Sequence, residues 1–190
     1  MDIPQGAPLV YVSFSAEINP TTTETLIGVM ANCANSKVQT VYLLLSTGGG
    51  KVMEGVNLYN VLKGMPFELI IHNVGNVDSI GNVIFLAGNK RYATANATFT
   101  FHGVGFTANV NQRFEEKYLK ERLEGILGDQ KRMGDIISQR TSLSGKDIAN
   151  LFSEAQTRDA SYAVDKGIIH EIRDVQIPKG SPVISLVFKR

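Results

Sequence analysis

The sequence of 190 residues has no tryptophan, one cysteine and almost no net charge. A single cysteine, Cys33, excludes an internal disulfide and the zinc sites that several cysteines build. The 19 basic and 18 acidic residues leave a formal charge of +1, so no excess of one sign predicts a nucleic-acid or membrane-surface partner. No apolar run reaches membrane-spanning length, and no signal pattern opens the chain. We therefore expect a cytoplasmic protein that needs no metal or other cofactor.

The pattern of apolar segments predicts the fold class. With 43% hydrophobic residues, a chain of this length can bury one sizeable core, so we expect a single domain over residues 1–190. Strand-like and helix-like segments alternate through Ala87. Such alternation is typical of a layered α/β domain with a largely parallel sheet.

The stretch from Leu69 to His102 contains the main candidates for chemistry. Residues 69–72 predict a buried strand, and the apolar run at 83–87 predicts a helix, with Ser79 in the glycine-bracketed turn between them. Residues 98–101 predict a second strand that ends at His102. A serine at a strand-to-helix turn and a histidine at the end of a later strand are what nucleophilic acyl transfer requires.

The chemistry of these two side chains supports that interpretation but leaves an alternative open. Serine is a poor nucleophile at neutral pH unless a base takes its proton, and imidazole titrates in the right range. Serine is also among the preferred helix caps, so Ser79 could cap the following helix while His102 simply ends a strand.

A run of three glycines, Gly48 to Gly50, lies between a predicted strand at 41–45 and a predicted helix from Val52. Glycines here let the backbone turn sharply and offer bare N–H groups to an oxygen. A tight turn without chemistry is the alternative. The Gly-Lys-Ser/Thr ending of a phosphate loop does not follow.

Past His102 the composition changes. From Gln112 to about Arg140 the chain is charged, with apolar residues at helical spacing. A helix of this length with a wide apolar stripe usually lies against another surface, and self-association is a physical default.

Three short motifs together resemble one known family. Thr47-Gly48-Gly49-Gly50, Asp78-Ser79-Ile80-Gly81 and Phe101-His102 follow the order and spacing of the caseinolytic (Clp) protease proteolytic subunit, ClpP. The resemblance runs from about Leu9 to Ile172. It implies a ClpP/crotonase-like layered βαβ superhelix with a protruding handle helix. The head would comprise 9–102 and 141–190, and the handle about 103–140.

The resemblance also implies roles for individual residues. Ser79 would attack a peptide carbonyl, with His102 acting first as base and then as acid. Backbone N–H groups of Gly49 and Ile80 would hold the oxyanion, and a peptide substrate would pair beside Gly50.

Two positions depart from the family pattern. The family's catalytic aspartate falls on Ala155, which cannot accept the imidazole N–H. Glu154 is the nearest replacement and Asp159 a more distant one; otherwise a Ser–His dyad remains. The family has a small residue at the position of Asp78, where a carboxylate would disfavour a nearby oxyanion or could cap the helix.

The expected partners follow from the same resemblance. They are unfolded or short peptides as substrates, and further copies of the chain in homo-oligomeric rings, of which a tetradecamer is one candidate. A Clp ATPase is implied as well, although we expect the short stretch before Leu9 to supply less than the family's full docking segment.

Two other functions stay open at this point. One is a catalytically weak or inactive ring subunit. The other is a crotonase-type acyl-CoA enzyme, since that fold is similar and also places backbone oxyanion donors near a glycine turn. Such enzymes generally transfer protons with carboxylates and have no need of an exposed serine.

Overall fold

A computed structural model describes residues 3–108 and 113–188, which form a mixed α/β fold around one sheet. The strands are β1 (Val10–Ser15), β2 (Thr40–Thr47), β3 (Glu68–Asp78), β4 (Lys90–Ala93), β5 (Thr98–Thr100), β6 (Thr157–Asp159), β7 (Glu171–Ile172) and β8 (Val183–Leu186). The helices are α1 (Pro20–Asn35), α2 (Val52–Lys63), α3 (Gly81–Phe85), α4 (Glu116–Arg140), α5 (Gly145–Glu154) and α6 (Ala160–Asp165). The α/β class predicted from the sequence is confirmed.

The sheet is parallel except at one edge. Its strand order is β6-β5-β3-β2-β1-β8, with β4 lying between β3 and β7. Strand β3 pairs with β4 along its first half and with β5 along its second half. The pairing of β5 with β6 is the one antiparallel pair in the described part of the chain. Strand β5 therefore ends beside the end of β3, at the edge where carboxyl ends of parallel strands meet.

Helix α1 shows how local sequence starts an element. Asn19 is its N-cap, and the Asn19 side chain and Thr22 satisfy each other's backbone N–H groups in a capping box. The apolar face of α1 packs into the core, where Leu26, Met30 and Cys33 are fully buried.

Strand β3 is longer than the sequence predicted. It runs on through Gly75 and ends one residue before Ser79. A Cβ at Gly75 would lie 3.1 Å from Ser46 Oγ, where the register with β2 shifts. Glycine thus marks a close approach inside the strand and not its end.

Helix α4 is buried only near its C-terminal end. It begins at Glu116, and the predicted start at Gln112 lies outside the described residues. Met133 and Ile137 are its buried residues, whereas Leu119, Leu123 and Leu127 are 47%, 55% and 53% exposed. The first half of the helix therefore projects from the sheet and its helices. No helix in residues 3–108 and 113–188 is long and apolar enough to cross a membrane.

A buried arginine joins the end of α4 to the sheet. The Arg91 guanidinium donates to the carbonyl oxygens of Gly88, Arg140, Gly167 and Ile168, at 2.7–3.3 Å. Burial lowers the pKa of Arg91 to about 10. Four carbonyl dipoles solvate this cation in place of a carboxylate, so they fix three chain segments to one side chain.

Candidate active site

Ser79 lies in a strained turn directly after β3. Its φ of +55° is in the left-handed region, which costs a residue with a side chain about 1–2 kcal/mol. The Ser79 N–H donates to Thr100 O at 2.8 Å. The Asn82 side-chain amide donates both to Ser79 O, at 3.1 Å, and to Thr100 O, at 2.9 Å. These bonds tie the turn to the end of β5 and stabilise the strained conformation.

The alternative that Ser79 caps the following helix does not hold. The N-cap of α3 is Ile80, and no side chain in the described part of the chain caps the first turn of this helix. Asp78 does not cap α3 either, because its Oδ2 accepts from the Asn76 side chain at 2.5 Å. The Asn76 amide also donates to Thr47 O, so the Asp78 carboxylate belongs to a polar network between β2 and β3.

The glycine turn after β2 lies against Ser79. Gly49 has a φ of +87°, and a Cβ there would lie 2.7 Å from Ser79 Cβ and 2.8 Å from Asp78 O. Gly50 also has no room for a side chain, because a Cβ there would lie 2.1 Å from Ile18 O. Only glycine lets the backbone come this close to the serine.

The predicted oxyanion donors differ in availability. The Ile80 N–H has no hydrogen-bond partner among the described residues. The Gly49 N–H donates to the Thr47 hydroxyl at 3.1 Å and is therefore engaged. Across the described ranges the neighbouring Gly50 N–H has no partner. Among the described residues, the free donor directly next to Ser79 is thus Ile80, while the glycine that contacts Ser79, Gly49, has its N–H engaged.

His102 follows β5 by two residues and is half-buried. Its Nδ1 lies 2.8 Å from the Gly103 carbonyl oxygen. Because a carbonyl only accepts, Nδ1 carries the proton of the neutral ring, and Nε2 is left with a free lone pair. A general base needs that tautomer. Among residues 3–108 and 113–188 no hydrogen bond joins Ser79 Oγ to the ring, although both residues emerge from adjacent strand ends.

None of the candidate third residues bonds to His102 in the described structure. Glu154 is exposed at the end of α5, and its carboxylate accepts from the Gln156 side chain. Asp159 caps α6 through the Tyr162 N–H. Ala155 is left-handed, with a φ of +48°. The geometry therefore gives Glu154 no role at the imidazole, and the Gly103 carbonyl occupies the Nδ1 side.

The segment from 152 to 156 nevertheless lies beside His102. The Phe101 N–H donates to Gln156 O, and the Gly103 N–H donates to Phe152 O, both at 2.9 Å. These two bonds flank the histidine on either side. Ala155 belongs to this segment, so a methyl group occupies the sequence position where the family pattern has a carboxylate.

The two other histidines are structural. His72 is fully buried in β3, with its Nδ1 2.8 Å from the Tyr42 hydroxyl. Burial lowers the pKa of His72 and raises the pKa of Tyr42 to about 12, so both are neutral at pH 7. His170 Nδ1 accepts from the Arg91 N–H. In the described ranges no three His, Cys, Asp or Glu side chains cluster as metal ligands would.

Asn82 and Gln130 are two site residues that sequence reasoning missed. Asn82 is buried in an otherwise apolar helix, and a lone amide in such a run is a signal that could have identified it. Gln130 bonds to the turn after His102 from the exposed helix α4. The residues around Gln130 in the sequence are also polar, so nothing there distinguishes it in the way that an apolar run distinguishes Asn82.

Comparison with known proteins places this geometry in a family. The model of the Clp protease family matches residues 10–176. The chain is 27% identical over 151 residues to the ATP-dependent Clp protease proteolytic subunit 1 of Leifsonia xyli subsp. xyli, covering 74% of this chain and 71% of that protein. It is 25% identical over 150 residues to proteolytic subunit 2 of Tropheryma whipplei, with coverages of 74% and 77%.

A solved structure agrees on the fold. A mutant of ClpP1 from Listeria monocytogenes superposes with a TM-score of 0.78 at 20% identity, and the match covers 87% of this chain and 92% of that one. At that identity the likeness concerns the fold alone. The family model, however, spans most of the chain and includes the serine turn, the glycine turn and the histidine. As the motifs indicated, the chain belongs to the Clp protease family of peptidases.

Proposed function

We propose that this chain is a serine endopeptidase subunit that cleaves peptide bonds through an acyl-enzyme on Ser79. The observation that carries the proposal is the left-handed Ser79 at the end of β3, with its N–H bonded to Thr100 O two residues before His102. Adjacent parallel strands thus deliver a nucleophile and a base to one edge of the sheet.

The proton transfers follow from the tautomer of His102. Nε2 takes the proton of the Ser79 hydroxyl as Oγ attacks the peptide carbonyl, and then gives it to the leaving amine. The same nitrogen next activates the water that hydrolyses the acyl-enzyme. The Ser79–His102 hydrogen bond forms when substrate binds, since catalytic bonds are often long in empty sites.

Two backbone donors stabilise the oxyanion of each tetrahedral intermediate. One is the Ile80 N–H, as the sequence predicted. The second is the predicted Gly49 N–H, which lies in the turn against Ser79 and exchanges its 3.1 Å bond to Thr47 Oγ1 for the oxyanion. One such donor contributes about 3–4 kcal/mol to transition-state stabilisation. The peptide substrate extends beside Gly50 by strand addition, which gives affinity with little sequence preference.

A weakly active subunit is the second candidate function. It is favoured by Ala155, and by the absence of a Ser79–His102 hydrogen bond in the described residues. Loss of the orienting carboxylate costs about 10⁴-fold in turnover in a serine protease triad. The crotonase-type alternative is not retained, because the family match is to the Clp proteases.

Labelling with a fluorophosphonate probe tests the peptidase proposal. We expect mass spectrometry to find the probe on Ser79, because only an activated serine reacts readily. His102→Ala should slow labelling about 10²–10⁴-fold by removing the general base. Glu154→Ala should label within about twofold of the wild type, as should its exposed neighbour Ser153→Ala as a matched control. An assembled wild-type protein whose Ser79 stays unlabelled overturns the proposal in favour of an inactive subunit.

Homo-oligomeric rings are part of the proposal, with the tetradecamer as one candidate size. Leu119, Leu123 and Leu127 recur every fourth residue on the projecting half of α4, each about half exposed. Such a stripe is stabilised when another copy of the chain covers it. The division into a head (9–102 and 141–190) and a handle (about 103–140) belongs to the same proposal.

Sedimentation velocity tests this surface. Replacing all three leucines by serine should shift the protein to smaller species that stay folded by circular dichroism, because these side chains bury little within one chain. The control replaces Lys117, Glu121 and Glu124, exposed residues of the same helix half, by serine. Equal sedimentation of the leucine variant and the wild type would show that the stripe is not an assembly contact.

Two expectations extend beyond these tests. The relatives named above are ATP-dependent, and we propose a Clp ATPase as a partner on that basis alone. The cytoplasmic location expected from the sequence stays a prediction.

A further inference from the structure

The turn after His102 is held from helix α4 by one side chain. The Val104 N–H donates to Gln130 Oε1 at 3.1 Å. A Cβ at Gly103 would lie 2.6 Å from the same oxygen, so the turn packs directly against the glutamine. Apart from His102 itself, Gln130 is the one side chain among the described residues that hydrogen-bonds the Gly103–Val104 backbone.

This turn determines which nitrogen of His102 carries the proton. The Gly103 carbonyl accepts from Nδ1, and no carboxylate in the described ranges replaces it. Gly103 joins two peptide units, and one hydrogen bond holds each of them. The unit before Gly103 is held by the bond from the Gly103 N–H to Phe152 O, and the unit after it by the bond from the Val104 N–H to Gln130. The Gly103 carbonyl and the Val104 N–H belong to the same peptide unit, so a bond to one orients the other.

The geometry points to Gln130 as a positioning residue for His102, which orients the Gly103 carbonyl in place of the missing triad carboxylate. In the described residues Gln130 has no hydrogen bond to Ser79 or to the His102 ring, and it acts through the peptide unit between Gly103 and Val104. The inference rests on the proposed peptidase function, since the tautomer matters only if His102 is the base. It also links the assembly helix α4 to the imidazole by a single side chain.

Matched substitutions at Gln130 separate positioning from packing. Gln130→Met keeps the length of the side chain but loses the acceptor, whereas Gln130→Glu keeps an oxygen for the Val104 N–H. We expect Gln130→Met to lower kcat and the fluorophosphonate labelling rate about 10–100-fold with KM within about twofold, by analogy with the loss of outer-shell partners. Gln130→Glu should restore both to within about threefold. Gln139→Met, an exposed position on the same helix, is the control.

Two further measurements distinguish this role from a general loss of structure. In ¹⁵N spectra of the imidazole, wild-type His102 should be the tautomer protonated at Nδ1, and Gln130→Met should become a mixture of tautomers. In a His102→Ala background, Gln130→Met should change labelling by less than about twofold, because its effect passes through the imidazole.

The outcomes separate this inference from the proposed function. If Gln130→Met labels at the wild-type rate and keeps the Nδ1-protonated tautomer, the inference is wrong while Ser79 labelling still supports the peptidase. If wild-type Ser79 never labels but the tautomer still depends on Gln130, the peptidase proposal fails and the positioning role is upheld. If Gln130→Glu is as impaired as Gln130→Met, the acceptor is not what matters and the inference is overturned.

Discussion

On the proposed nucleophile side of the site (Ser79, Ile80 and the Gly49–Gly50 turn), the strand ends of the buried sheet hold the backbone, and the side chains of Thr47 and Asn82 add hydrogen bonds. On the base side (His102 to Val104), the support comes from helices α4 and α5 and includes a single side chain, Gln130. The first side is fixed by strand pairing and by contacts that admit only glycine. On the second side, a single substitution at Gln130 removes the bond to the Val104 N–H and leaves the backbone bond from Gly103 to Phe152 in place. We therefore expect changes on the nucleophile side to disturb the fold, and changes at Gln130 to alter the histidine side without unfolding the protein.

The largest effect is expected on the nucleophile side, from Gly49→Ala. A methyl group there would meet Ser79 Cβ and Asp78 O, and the φ of +87° is strained for any residue with a side chain. We expect labelling of Ser79 to fall more than about 100-fold, because the turn must move, and stability to fall by about 1–3 kcal/mol. Labelling rates and urea unfolding measure the two effects.

The matched control for this change is the preceding residue. A Cβ at Gly48 meets no heavy atom within 4 Å. Gly48→Ala should therefore stay within about 0.5 kcal/mol of the wild type and within about threefold in labelling. If Gly48→Ala and Gly49→Ala behave alike, the close contact of Gly49 with Ser79 is not what fixes the nucleophile side, and the contrast with the base side fails.

A smaller effect, and a gain, is expected on the base side from Ala155→Asp. Aspartate tolerates the left-handed conformation of this position, and its carboxylate can accept the Nδ1 proton of His102. We expect labelling to rise about 10-fold, well short of the 10⁴-fold that a perfected triad provides. Ala155→Asn has nearly the same shape without the charge and should stay within about threefold. An aspartate variant that labels no faster than the asparagine variant contradicts the idea that this position can supply the third residue.

The sequence predicted the nucleophile side better than the base side. The Ser79 turn, the glycine turn and the strand before His102 depend on local signals, namely glycines, a β-rich run and the order of motifs. The partner of the imidazole is the carbonyl of the next residue, Gly103, but the conformation that brings this oxygen to Nδ1 is held by Phe152 and Gln130, which are distant in sequence. No sequence pattern encodes those bonds, so the sequence offered Glu154, whose carboxylate accepts from Gln156.

The fold likewise divides into elements that a local sequence pattern predicts and features that depend on contacts formed after folding. The start of α1, the caps of α5 and α6 and the parallel sheet follow from cap residues and periodicity. Strand β4 escaped prediction because it has only four residues, and two of them are Lys90 and Arg91. The Gly49 N–H was a reasonable donor on sequence grounds, but the Thr47 hydroxyl two residues earlier engages it.

Arg91 carries a consequence for how this chain can diverge. Its guanidinium donates hydrogen bonds to main-chain carbonyl oxygens, and every residue type has such an oxygen. Substitutions that keep the backbone conformation at these four positions therefore leave the bonds to Arg91, and with them the joint between α4 and the sheet, in place.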